Sequence, residues 1–137
     1  MIKLIPILIL LQIVLNGCKE PMECSKYKTG RFVYVSTENN HKILVIRDGS
    51  TQLEEDVTGD VTVKEKISWT SPCSFDTKEI RKVTDSSVIE LNAPVPIHIT
   101  IAKVAGNSYN SEMEYIDSKN KKVNSSVVVK ALKFDDK

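Results

Sequence analysis

Val61-Thr62-Val63-Lys64-Glu65-Lys66-Ile67-Ser68-Trp69-Thr70 is the stretch that decides the fold. Val61, Val63, Ile67 and Trp69 fall on one side, and Thr62, Lys64, Lys66 and Ser68 on the other. That period of two is the mark of a half-buried β-strand. Glu65 is the exception, a carboxylate in phase with the apolar set.

Working outward, the same pattern recurs between turn signals. Upstream, Gly30 to Ser36 is β-branched and aromatic, Glu38-Asn39-Asn40 turns, and His41 to Arg47 is a second apolar strand. Asp48-Gly49 is a strong hairpin signal, followed by Thr51 to Thr58 and a Gly59-Asp60 turn. Downstream, strands are expected at Cys73 to Val83, Ile97 to Ala105, Ser108 to Ile116 and Val123 to Leu132, with turns at Gly106-Asn107 and Ser118-Lys119-Asn120. Thr84 to Pro96 is the least regular part, and Pro94 and Pro96 exclude an inner strand there. No window carries a sustained helical period with caps. The expectation is therefore all-β: an antiparallel meander of about eight strands, either an open curved sheet or a lipocalin-like barrel. Eight strands suffice to close, and closure removes aggregation-prone edges.

The start of the chain reads differently. Lys3 is followed by an apolar run from Leu4 to Leu15, too short for the roughly 20 residues of a membrane helix. A positive start, a short apolar run and small residues describe a removable secretory signal. Leu15-Asn16-Gly17-Cys18 resembles the bacterial lipobox, in which the cysteine is acylated before cleavage; Asn16 stands where Ser or Ala is commoner. The resemblance implies a lipid-anchored Cys18, and two or three acyl chains hold a protein to a bilayer durably. Lys19-Glu20-Pro21-Met22-Glu23 partly resembles a Lys-acidic export signal of Bacteroidota-type lipoproteins, with Pro21 interrupting the acidic pair. The expected organisation is a signal peptide at 1–17, a lipidated tether at 18–29, a β-domain at 30–133 and a polar tail at 134–137. The location expected is the cell envelope, with the outer membrane's periplasmic and surface faces both open.

Once residues 1–17 are removed, about 120 remain, enough for one domain with a real core. The 19 basic and 18 acidic residues balance, which argues against a nucleic-acid partner. There are three cysteines. With Cys18 carrying lipid, Cys24 and Cys73 remain as an even pair in an oxidising compartment, where a disulfide is expected. A metal pair is the competing reading, but neither His41 nor His98 lies near either cysteine in sequence, and no metal or other cofactor is expected.

From Cys24 to Phe75 the chain resembles a family of small flavobacterial secreted proteins and lipoproteins. The matching pieces are Cys24, Lys28-Thr29-Gly30-Arg31-Phe32, Ile46-Arg47, Gln52 with Glu54, Trp69 and Cys73-Ser74-Phe75. Members are often labelled as a subunit of DNA topoisomerase IV. That chemistry needs an ATP-binding fold, or a tyrosine nucleophile among metal-binding acids and a basic DNA surface. This neutral chain offers no phosphate-cradling loop among its five glycines. What the resemblance implies is a β fold, an envelope location and paired cysteines.

Few residues point to chemistry. Arg47, Gln52 and Glu54 sit on the two arms of the Asp48-Gly49 hairpin, as a ligand cluster or, in the preferred reading, an exposed cross-strand pair holding register. An inward Glu65 must be paired or carry a raised pKa, unless it reaches solvent at the sheet's end, the reading preferred here. His41 and His98 read as surface residues. Trp69, Phe75, Tyr109 and Tyr115 read as core more readily than as an aromatic ligand floor. Two functions remain from different classes. One is a non-enzymatic, membrane-tethered β-domain acting through surface or protein contacts. The other is a lipocalin-like carrier of a small apolar ligand, whose room depends on the inward sets around Ile97, Ile99 and Ile101 being interrupted at Glu65, Ser111 and Ala105.

Overall fold

The computed structural model describes residues 23–91 and 95–133. The expected signal peptide at 1–17, Cys18 with its expected lipid, Pro94 and residues 134–137 lie outside the described residues. Eight strands form the staves of a closed up-and-down barrel: β1 (Thr29–Val35), β2 (Lys42–Asp48), β3 (Thr51–Asp56), β4 (Val61–Ser71), β5 (Ser74–Val83), β7 (Ile97–Ala105), β8 (Ser108–Ile116) and β9 (Lys122–Ala131). A short β6 (Val88–Glu90) pairs only with the outer part of β5, so the described residues of the irregular Thr84–Pro96 stretch, 84–91 and 95–96, contribute an edge and no stave. All pairings are antiparallel, and the β4–β5 and β1–β9 ladders complete the circle. The eight-strand meander is thus a barrel and not an open sheet.

Tight turns impose the up-and-down order. At the β2–β3 hairpin Gly49 has φ +103°, a conformation L side chains rarely adopt. Asp48 braces that turn by accepting the Thr51 N–H at 2.8 Å, and this hydrogen bond leads those that hold its carboxyl below the usual carboxylate range. At the opposite end, Asn40, Asp60 and Asn120 take positive φ in their own turns.

The two ends of the barrel differ. The lower end is filled by Phe32, Phe75, Ile101, Tyr109 and Val129, all buried. A single 3-10 turn, Ser25–Tyr27, plugs it, with Tyr27 buried against Tyr109 at a ring separation of 4.6 Å. Cys24 is bonded to Cys73 at the foot of the β4–β5 hairpin, as the cysteine count anticipates. Residues 24–28, read from the sequence as tether, are therefore part of the domain. They carry no strand period, and their burial depends on a barrel end that sequence does not display.

Register shifts interrupt the β4–β5 ladder twice, once close to its hairpin between the Trp69 and Ser71 pairings, and the β7–β8 ladder once. In β5 the regular register runs up to Glu65 facing Glu79 and then slips by one, so that Lys64 faces Arg81, with Ile80 as the extra residue. In β7 a slip between Ala102 and Ala105, with Lys103 at φ +46°, turns Val104 toward the core. Ala105 is exposed, which corrects its placement among inward residues.

Candidate functional site

A column of polar groups runs up the barrel interior from the filled end. Arg47, on β2, is 6 % exposed. Its guanidinium lies 4.9 Å from the Phe32 ring centre and 4.8 Å from that of Phe75. Its Nη1 donates to the Tyr27 carbonyl at 2.7 Å, and its Nε donates to Gln52 Oε1 at 3.0 Å. Gln52, directly opposite on β3, passes the connection upward. Its Nε2 donates to Glu54 Oε1 at 3.1 Å and to Glu65 Oε2. Because guanidinium only donates, the amide cannot flip without losing Arg47. Tyr34, on β1, closes the column by donating its hydroxyl to Glu54 Oε2 at 3.0 Å.

The structure therefore gathers the sequence cluster Arg47, Gln52, Glu54 and Glu65 in one place, but in the interior. The exposed register pair expected for Arg47 is corrected by its burial, and so is the expectation that Glu65, 6 % exposed, reaches solvent. Both follow from closure: this row of neighbours on β2, β3 and β4, which an open sheet could leave facing solvent, faces an enclosed interior in a barrel.

Above this column the barrel is hollow. A cavity of about 530 Å³ opens at the mouth, lined by Glu54, Glu65 and Glu79 on one wall and by Ile97, Met113 and Val127 on another. Its lateral opening comes from an incomplete seam: the β1–β9 ladder covers only Phe32 and Val33. Beyond it, Tyr34 and Ser36 line the mouth on one side, and Val123 and Ser125 on the other. Below, a separate void of about 30 Å³ beside Arg47 and Ser111 has room for about one water. Ser111 thus interrupts the inward set as expected, but it bounds this small void.

The electrostatics of the cavity wall are unbalanced. Burial, then repulsion from Glu54, raises the Glu65 carboxyl from about 4.5 to about 8. Burial likewise raises Glu54, against the hydrogen bond from Tyr34 and the attraction of Arg47. Tyr34 itself is raised, by burial first and then by Glu54. Thr77, 1 % exposed and on the same wall, has a hydroxyl oxygen with no hydrogen-bond partner.

The other singled-out residues lie elsewhere. Phe75 and Tyr109 are core. Trp69 is half-buried at the closed end, packed on Phe75 at 4.6 Å and donating its indole N–H to the Gly49 carbonyl at 2.9 Å. Tyr115 lines the mouth. His41 pairs with Asp56 at 2.7 Å and His98 with Asp76 at 2.6 Å, both cross-strand contacts outside the cavity. Sequence reasoning missed Tyr34, Thr77 and Glu79. Thr77 and Glu79 alternate in phase with Phe75 along β5, so that signal was present; the seam beside Tyr34 had none.

No family model, curated protein or solved structure matches this chain. Among the described residues no group of three or more His, Cys, Asp or Glu is placed to hold a metal ion, and no helix is long and apolar enough to cross a membrane.

Proposed function

We propose that the chain is an exported carrier or receptor for a small, largely apolar molecule, held in the mouth of the barrel. The hollow upper half carries this reading. Its roughly 530 Å³ lie within the 300–1,000 Å³ typical of small-ligand pockets, and its mixture of apolar wall and a few convergent polar groups is typical too. The disulfide belongs to an oxidising compartment, which fits an exported protein.

The proposal includes the anchor. Lipid on Cys18 tethers the domain to the envelope, and only residues 19–23 separate it from Cys24. Six residue steps span at most about 20 Å. Cys24 is pinned to the closed end, so the bilayer lies on that side and the mouth faces away from it. The alternative, action through surface contacts, draws on the outer face. There Ile46 and Leu53 pair across β2 and β3 and are both exposed.

Native mass spectrometry of the protein purified from its own membrane tests carriage. A co-purifying small molecule is expected, and it is lost on Ser125→Phe, which fills the mouth. Ligand-free protein that also binds no member of a panel of short-chain amphiphiles would leave the contact surface as the better reading.

A further inference from the structure

We propose that the ligand carries a protonated amine at one end, seated between Glu65, Glu79 and Thr77, with its apolar body against Ile97, Met113 and Val127. This rests on the carrier reading and names the class of molecule carried.

Charge and geometry support it together. Glu54, Glu65 and Glu79 converge on one wall from β3, β4 and β5, and Glu38 lies at the rim. The interior cation beside them is Arg47, which is already committed to the Tyr27 carbonyl and to Gln52. Gln52 and Tyr34 satisfy Glu54 from below and from the side, leaving Glu65 with Gln52 and Glu79 with no hydrogen bond to another side chain among the described residues. Glu79 lies directly opposite Glu65 in the regular part of the β4–β5 ladder, just before the Ile80 bulge, and the repulsion between the two carboxyls helps to keep Glu65 protonated in an empty site.

The unpartnered hydroxyl of Thr77 is the second observation. A buried hydroxyl without a partner costs free energy unless something completes it. An ammonium supplies N–H donors for the Thr77 oxygen and for the two carboxylates at once. A carboxylate or phosphate head would meet like charge on this wall, and a plain alcohol would leave most of the acceptors unmet. The opposite wall, Ile97, Met113 and Val127, gives a hydrocarbon body an apolar surface.

Seating a cation draws protons off the wall. Glu65, which holds its proton up to about pH 8 in the empty site, must release it. Glu54 and Glu79 oppose that release, while Arg47 and the Gln52 amide favour it. Affinity for an amine is therefore expected to strengthen from about pH 6 to about pH 8, by at most about tenfold per pH unit for each proton released.

Calorimetric titration of the purified full-length protein with octylamine, octanol and octanoate decides the matter. These probes share one apolar body and differ in the head. Octylamine is expected to bind about tenfold or more tighter than octanol at pH 8, and octanoate more weakly than either. Glu65→Gln and, separately, Glu79→Gln should each reduce the amine preference while octanol binding persists, which also shows that the variants fold. Equal affinity for amine and alcohol, or a preference that survives both substitutions, overturns the amine seat and leaves carriage standing. Binding of none of the three overturns carriage itself.

Discussion

Gln52 donates its side-chain amide to the carboxyl of Glu65, its direct opposite across the β3–β4 ladder. The same amide accepts from Arg47, so one uncharged residue joins the filled half of the barrel to the hollow half. It also spaces a buried guanidinium from the cavity's carboxyls, so the charges interact without a direct ion pair.

Arg47 should be expensive to remove. Arg47→Ala would leave the Tyr27 carbonyl and Gln52 unmet and open a void between Phe32 and Phe75. A loss of about 3–5 kcal/mol is expected in urea unfolding. A loss under about 1 kcal/mol would mean that the guanidinium sits at the surface.

Glu65 makes stability depend on pH in the direction opposite to an ordinary salt-bridged acid. Its carboxyl is raised from about 4.5 to about 8, so the folded protein holds the proton more tightly than the unfolded chain. The associated stability is full below about pH 4.5 and is lost as pH rises through about 8. Asp48 and Asp56 shift downward, the latter chiefly through the His41 hydrogen bond, and act at lower pH. Glu65→Gln should therefore flatten the profile and stabilise by on the order of 2 kcal/mol at pH 8, with little change near pH 5. Urea midpoints measured across that range check this, and an unchanged slope would contradict it.

Trp69 is half-buried, so its loss should cost less than that of a fully enclosed ring. Trp69→Ala is expected to destabilise by about 2–3 kcal/mol, through the Phe75 contact and the Gly49 hydrogen bond. A thermal midpoint within error of wild type would place the ring outside the packed end. Lying at the closed end, Trp69 should report ligand binding weakly.

The disulfide closes a loop spanning 49 positions and pins the plug to the barrel. Replacing both Cys24 and Cys73 by Ser should cost roughly 4 kcal/mol in the chain-entropy model. Peptide mapping without reductant should recover the two cysteines in one linked fragment. Two free thiols in exported protein would refute the bond.

The anchor has its own test. Wild type should incorporate a fatty-acid probe and Cys18→Ala should not; equal labelling of the two would remove the tether.

Much of this protein was determined by the sequence alone. The period of two through Val61–Trp69 and the turn residues Asn40, Gly49, Asp60, Gly106 and Asn120 determine strands and hairpins, because pleat and turn geometry are local. The Cys24–Cys73 pair was readable by counting. Even the odd placement of Glu65 among apolar residues was visible. Only the tertiary structure decided what that oddity meant. An alternating strand states which residues share a face, but whether that face looks onto solvent, a second sheet or a closed interior depends on pairings between distant strands. Closure buries Arg47, Gln52 and Glu65 together. The pairing of β4 with β5 sets Glu79 against Glu65, the Ile80 bulge shifts the register beyond them, and the short β1–β9 ladder leaves the mouth open beside Tyr34. These are non-local choices, settled by how the whole barrel packs, and no window of the chain contains them.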